Sequence, residues 1–126
     1  MIPLNMREIE HRVNCAIDAT MSVIEGRWKG TILCMLFKNG TMRFSELQKE
    51  IGEITSRILT KQLKELEEDG MIRREVDTNG KIKVEYSLTD RGRSILPVLY
   101  SMAEWGARNQ FVQIIVPKVE EAESSA

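Results

Sequence analysis

The feature that most constrains this chain is a pair of alternating segments set among helical patterns. Ile72, Arg74 and Val76 alternate with polar positions, and Ile82, Val84, Tyr86 and Leu88 alternate again without a break. Successive side chains of a strand point to opposite faces, so this period of two marks strands with one apolar face. Asp77-Thr78-Asn79-Gly80 lies between them. Asn and Gly tolerate the positive φ of a type I′ turn, so the sequence predicts a two-stranded hairpin closed at Asn79-Gly80.

The segments around the hairpin read as helices. The first is predicted to start at Asn14, a good N-cap, with Ile17, Met21 and Ile24 at helical spacing and Gly26 at the C′ position. The second covers about Trp28 to Phe37, with Trp28, Ile32, Met35 and Leu36 inward, and stops at Asn39-Gly40. Arg43-Phe44 reads as a short strand. Ser45-Glu46-Leu47-Gln48 reads as a capping box opening a short helix that stops at Gly52. The fourth helix runs from about Ser56 to Asp69, capped by Thr55 and ended by Gly70. After the hairpin, Thr89 caps a long helix carrying Ile95, Leu96, Leu99, Met102 and Trp105, with a kink expected near Pro97. Phe111, Val112, Ile114, Ile115 and Val116 form a last apolar cluster, and the tail from Glu120 to Ala126 is expected to fray.

At 126 residues, with no repeat and no linker, the chain is expected to be a single domain over 1–126. Its 42% hydrophobic content fits a globular protein. The longest unbroken apolar run is Ile32 to Phe37, too short to span a bilayer. The first eight residues lack the regions of a signal peptide, and two cysteines do not make a disulfide framework. The expectation is a small soluble cytoplasmic protein with no membrane partner.

Net charge is −1, but it is unevenly placed. Between Gly26 and Lys64 eight basic residues (Arg27, Lys29, Lys38, Arg43, Lys49, Arg57, Lys61, Lys64) stand against three acids (Glu46, Glu50, Glu53), a net of +5. Local field, not the total, decides which partners a surface attracts. On the fourth helix, at about 100° per residue, Ile58, Leu59, Leu63 and Leu66 share one arc. Ser56, Arg57, Thr60, Lys61 and Lys64 fill the opposite one. Taken alone this is an ordinary amphipathic helix with a solvated face. A solvated face usually mixes both signs, whereas this one turns acidic only at its C-terminal end, where Glu65, Glu67, Glu68 and Asp69 meet an unfavourable macrodipole.

Helix, helix, short helix, helix and hairpin is the order of a winged helix-turn-helix, an α+β fold that is mostly α. In that fold the second helix of the motif enters the major groove of DNA and the hairpin forms a wing beside it. Ser56, Arg57 and Thr60, nearest the N-terminus of the fourth helix, are the candidates for base edges. Lys61, Lys64, Arg43, and Asn79 and Lys81 at the wing are candidates for phosphates. Arg73 and Lys83 add further positive charge to the wing. The rival readings are a winged-helix module that binds protein, which would not need the acid-free arc, and a small enzyme.

Several stretches resemble the HxlR-type family of bacterial transcriptional regulators, close to the MarR-like winged-helix proteins. They are Cys15, Ile24-Glu25-Gly26-Arg27-Trp28-Lys29, Arg43-Phe44-Ser45-Glu46-Leu47, the run from Leu59 to Ile72, Val84 to Thr89, and Trp105-Gly106. They recur in order over about residues 14–106, leaving 107–126 as a C-terminal extension. The resemblance implies a homodimer built from the first and last helices and a DNA reader that represses or activates nearby genes. Ala16 stands where the family often has Pro, and the segment from Phe111 to Val116 extends past the family's usual end. Independently of the resemblance, that segment with Leu99, Met102 and Trp105 offers more apolar surface than one small domain can cover, which predicts a two-fold dimer.

Other chemistry is thinly represented. His11 is the one histidine, and with two separated cysteines it makes no zinc pattern. No phosphate loop or nucleophile elbow occurs, and no cofactor or enzyme activity is expected. Glu67-Glu68-Asp69 reads as a solvated helix end before it reads as a cation site. Trp28 and Trp105 read as core or dimer anchors, with an aromatic-lined effector pocket between them as an alternative. Cys15, placed by this reading in the first turn of a helix near Arg12 and His11, is a candidate redox or electrophile switch through a stabilised thiolate. Its bland alternative is a structural cysteine at the subunit contact. The resemblance adds that some HxlR-type members look to be controlled by a cysteine at the matching position. Cys34 lies in the apolar run and is expected to be buried and inert.

Overall fold

The computed structural model describes residues 6–110, with side chains from Val13 onward. The cluster Phe111 to Val116, the tail from Glu120 and the side chains of His11 and Arg12 lie outside the described residues. The elements are α1 (Met6–Ile24), α2 (Lys29–Asn39), β1 (Met42–Arg43), α3 (Phe44–Ile51), α4 (Ser56–Glu68), β2 (Ile72–Asp77), β3 (Lys83–Leu88), α5 (Asp90–Ser94) and α6 (Leu96–Asn109). This is the winged helix-turn-helix order.

α1 begins at Met6, well ahead of the predicted cap at Asn14. Residues 6–12 hold Met, Arg, Glu and Ile and no helix breaker, so nothing stops the helix from starting early and Asn14 becomes an interior residue. The sheet is antiparallel in the order β1-β3-β2. β2 and β3 are the two-stranded wing, and the short strand ahead of the helix-turn-helix joins them as a third. Met42 pairs with Tyr86 and Arg43 with Glu85, so β1 sits one residue earlier than Arg43-Phe44. A two-residue strand is too short to show a period, and the burial of Met42 against Tyr86 is what holds it.

The hairpin forms, but not with the predicted turn. The ladder runs from Ile72↔Leu88 to Asp77↔Lys83, leaving residues 78–82 as a five-residue loop. Gly80 has φ +92, while no non-glycine residue among those described has positive φ, so the Asn79-Gly80 pair does not make a type I′ turn. Instead the Asn79 N–H donates to Asp77 Oδ1 at 2.9 Å, an Asx turn that bends the chain earlier. Ile82 consequently lies in the loop and is 75% exposed.

The core gathers Ile24 of α1; Ile32, Leu33 and Leu36 of α2; Leu47 of α3; Leu59, Leu63 and Leu66 of α4; and Ile72, Tyr86 and Leu88 of the sheet, with Leu99 of α6. Trp28 and Met35, predicted inward, are only partly buried. Ile58 is exposed, because at 100° per residue it sits at the edge of the arc centred on Leu59. The predicted long C-terminal helix is two helices, broken at Ile95, with Pro97 in the first turn of α6, where a missing N–H costs nothing. Thr89 caps α5 as predicted. Its Oγ1 accepts from the Gly92 N–H at 3.0 Å and donates to Gly70 O at 2.6 Å, tying the helix to the end of α4.

Candidate nucleic-acid interface

α3, the turn at residues 52–55 and α4 form the helix-turn-helix. Gly52 takes φ +81 and its N–H donates to Gln48 O at 2.9 Å, closing α3. Gln48 does not serve a Ser45 capping box. The helix starts two residues earlier, at Phe44, with Arg43 in the cap position, so the Arg43 N–H donates to Glu46 Oε1 at 2.9 Å instead. Gln48 Nε2 is left to reach across the turn to Ser56 Oγ at 2.9 Å and Ile54 O at 3.4 Å. Thr55 Oγ1 then accepts from the Ile58 N–H at 3.2 Å and caps α4 as predicted.

α4 buries Leu59, Leu63 and Leu66 and exposes Ser56, Arg57, Thr60, Lys61 and Lys64. The two hydroxyls are partly engaged: Ser56 Oγ accepts from Gln48, and Thr60 Oγ1 donates to Ser56 O at 2.7 Å. That leaves Ser56 a donor and Thr60 an acceptor for a ligand. Arg57, Lys61 and Lys64 make no ion pair among the described residues, and neither does the exposed Arg43 at the start of α3.

Two of the eight cations counted in this stretch are used internally. Lys29 is 4% exposed and its Nζ lies 2.6 Å from Glu65 Oε2, while Arg27 pairs with Glu53 at 3.7 Å and lies 4.7 Å over the Trp28 ring. Eight less two, against three acids less one, still leaves a net of +4 over residues 26–64. The Lys29 hydrogen bond holds the Glu65 carboxyl below the ordinary carboxylate value. Desolvation opposes that shift, and the fields of Lys29 and Lys61 add to it. An acid near the C-terminus of α4, unexplained by the sequence, thus has its reason in α2.

The wing is less basic than its lysines suggest. The register sets Arg73 opposite Ser87, Glu75 opposite Glu85 and Asp77 opposite Lys83 on one face, and Arg73 lies 4.0 Å from Glu75. Lys81 and Asn79 stay exposed in the loop. Two apolar stripes are also exposed: Val13, Ile17 and Met21 along α1, and Val98, Met102 and Trp105 along α6.

Cys15 is exposed, but it lies in the interior of α1 rather than its first turn. The helix-dipole argument for its thiolate therefore fails, because that field is confined to the terminal turn. It also sits about 160° around the helix from Ile17, away from the apolar stripe. Cys34 is half-buried rather than buried, and burial pushes its thiol up. It lines a groove of about 410 Å³ between α2 and α6 with Gly30, Thr31, Met35, Lys38, Leu99 and Ala103. Neither tryptophan lines that groove. Among the described residues no His/Cys/Asp/Glu group is placed to hold a metal, and no helix is long and apolar enough to cross a membrane.

The profile of the HxlR-like helix-turn-helix family matches residues 23–113. The match begins after Cys15 and reaches into the segment expected to exceed the family's usual end. The uncharacterized HTH-type transcriptional regulator BH0655 of Halalkalibacterium halodurans is 46% identical over 111 residues, 85% of this chain and 98% of its own length. A regulator of the same description from Methanothermobacter thermautotrophicus is 45% identical over 92 residues, 73% of this chain and 70% of its own. Among solved structures, the redox regulator HypR in its oxidized form matches with a TM-score of 0.70 at 44% identity, covering 76% of this chain and 98% of that one. The reduced form of the transcriptional regulator YodB from B. subtilis matches at 0.67 and 30% identity, covering 75% of this chain and 92% of that one. With a profile that spans most of the sequence and a relative 46% identical over nearly its whole length, the chain belongs to the HxlR-like family of helix-turn-helix transcriptional regulators.

Proposed function

We propose that this regulator is a homodimer that reads an inverted-repeat operator, with α4 in the major groove and the wing loop beside it. The observation that carries the reading is the surface of α4, where Arg57, Lys61 and Lys64 are exposed without ion pairs beside the hydroxyls of Ser56 and Thr60. Arg57, in the first turn, is the base reader, since a guanidinium matches guanine O6 and N7 in two parallel hydrogen bonds. Ser56 and Thr60 add single contacts to base edges. Lys61, Lys64, Arg43, Asn79 and Lys81 hold phosphates. The stripes on α1 and α6 supply the dimer contact, which places the two readers about 34–36 Å apart or a multiple of that. A gel-shift titration with DNA from upstream of the protein's own gene tests the reading. A sequence-selective shift is expected, abolished by reversing charge at both Arg57 and Lys61; operator affinity intact in that variant refutes the assignment.

Control by thiol modification is the second part of the proposal. Cys15 is exposed on α1, and one of the similar proteins is the redox regulator HypR. Capping of Cys15 by an electrophile, or by a small thiol in the presence of an oxidant such as diamide, would alter the spacing of the two readers. Diamide or a quinone should change operator affinity in the parent protein and not in Cys15→Ser. Equal affinity before and after treatment of the parent refutes this control.

A further inference from the structure

Lys29 is the first residue of α2, and its ammonium is withdrawn from water into a 2.6 Å contact with Glu65. A buried ammonium is unfavourable unless its charge is met at short range, and an acid near a helix C-terminus is unfavourable in its own right. Two costly placements thus meet in one contact between α2 and α4. The residues just before Lys29 reach α4 as well. Gly26, at φ +137, leaves room where a Cβ would come within 2.7 Å of Gln62 Oε1, itself a buried oxygen with no hydrogen-bond partner. Arg27 reaches Glu53 in the turn ahead of α4. The stretch from Gly26 to Lys29 therefore meets the reader at its approach, its middle and its C-terminal half.

Apolar contacts hold α4 on the core but discriminate poorly between neighbouring rotations and axial shifts, because leucine surfaces are non-directional. A 2.6 Å charged hydrogen bond weakens steeply as its partners separate, so it opposes a slide or rotation of α4 that carries Glu65 away from the buried Lys29. Arg57, Lys61 and Glu65 follow one another at intervals of four, so whatever fixes Glu65 fixes where the two cations point. We propose that Lys29 is a positioning residue for DNA recognition: its ion pair with Glu65 sets the rotation and register of α4 and so the aim of Arg57 and Lys61. This rests on the reading of α4 as the DNA reader.

Lys29 is buried while Glu65 keeps about a third of its side chain in solvent. Replacing such a pair, whose lysine bears the desolvation, with apolar residues often preserves stability, which separates holding from aiming. The experiment uses the full-length protein with two duplexes, one selected by the parent from a random library and one with that site scrambled. Binding to both is measured across a salt series, beside thermal melts. Lys29→Met combined with Glu65→Leu is expected to melt at or above the parent temperature. Its preference for the selected duplex should nonetheless fall about tenfold or more at unchanged salt slope, because every phosphate cation remains. Glu65→Gln alone, close in shape, should move the preference in the same direction, and it decides the matter should the double variant not fold. A double variant that melts normally and keeps the parent's preference overturns the proposal, as does a preference that falls only in proportion to lost stability. A parent protein with no preference for any duplex overturns the DNA reading itself, and that outcome is read from the unmutated control.

Discussion

Gly92→Ala isolates how the wing and α6 are joined. Gly92 is buried in α5, and a Cβ there would run into Met71 O while lying 3.0 Å from Met71 C and 3.2 Å from Leu88 Cδ2. The obstacle is backbone, which cannot swing aside, so α5 must move off the sheet. That displacement strains the cap in which Thr89 Oγ1 accepts from Gly92 at 3.0 Å and donates to Gly70 O at 2.6 Å. Overpacking costs about 1–3 kcal/mol and weakening a cap about 1 kcal/mol, for a total of about 2–4 kcal/mol. In a domain of this size that lowers the melting temperature on the order of 10 °C. Gly30→Ala is the matched control, since its Cβ would sit 3.5 Å from Leu99 Cδ2, an ordinary contact, and the exchange should stabilise by about 0.5 kcal/mol or do nothing. Melts by circular dichroism at one fixed protein concentration read both. A loss below about 1 kcal/mol for Gly92→Ala would refute the close-approach argument.

Arg57→Ala should cost about 1–3 kcal/mol of operator binding and relax selectivity at one position, whereas Lys64→Ala should weaken all sequences alike and make the salt slope shallower by about one charge; titrations on operator and scrambled DNA over a salt series distinguish them. Met102→Glu with Trp105→Ala should give a monomer at micromolar concentration by analytical ultracentrifugation; a persistent dimer would move the contact off α6. Glu65 has its carboxyl held below the ordinary value of 4.5 by the Lys29 hydrogen bond. Its contribution to stability is therefore fully present above about pH 4.5 and lost as pH falls through the lowered value. Urea unfolding of Glu65→Gln across that acid window should show a smaller loss on acidification than the parent.

Much of this arrangement was legible in the residues. Thr55, Thr89 and Gly70 mark helix ends by local chemistry, and Leu59, Leu63 and Leu66 mark a buried face by period; both signals act within a few residues. Errors arose where a second local option competed or a partner lay far along the chain. Asn14 is a good cap, yet the helix-forming residues ahead of it carry α1 back to Met6. Asn79-Gly80 suits a two-residue turn, but the Asp77 side chain captures the Asn79 N–H first. The same early start moves Cys15 from a first turn into the interior of α1. Nothing near Lys29 marks it as buried, because Glu65 lies on another helix, and α4 seen alone made Glu65 look like a misplaced acid. Of the site, the exposed face of α4 follows from its period. The division of charge between fold and surface does not, because it depends on which helices touch.

That division reconciles a net charge of −1 with the DNA-reading role proposed for α4. At physiological salt, charges are screened over about 8 Å, so only acids within that reach offset a given cation. α4 has 13 residues and rises about 1.5 Å per residue, which puts Glu67 about 15 Å along the axis from Arg57 but only about 4.5 Å from Lys64. Glu65 is nearer, but its carboxylate is already engaged by Lys29. Positive potential on α4 therefore falls from its N-terminal to its C-terminal end, with Arg57 and Lys61 least opposed and Lys64 partly offset. A polyanion meeting this helix is drawn to its first two turns, which is the end the helix-turn-helix geometry inserts into the major groove. Glu75 and Glu85 face each other on the wing strands, where they lower the total charge, and it is the local field that a partner meets.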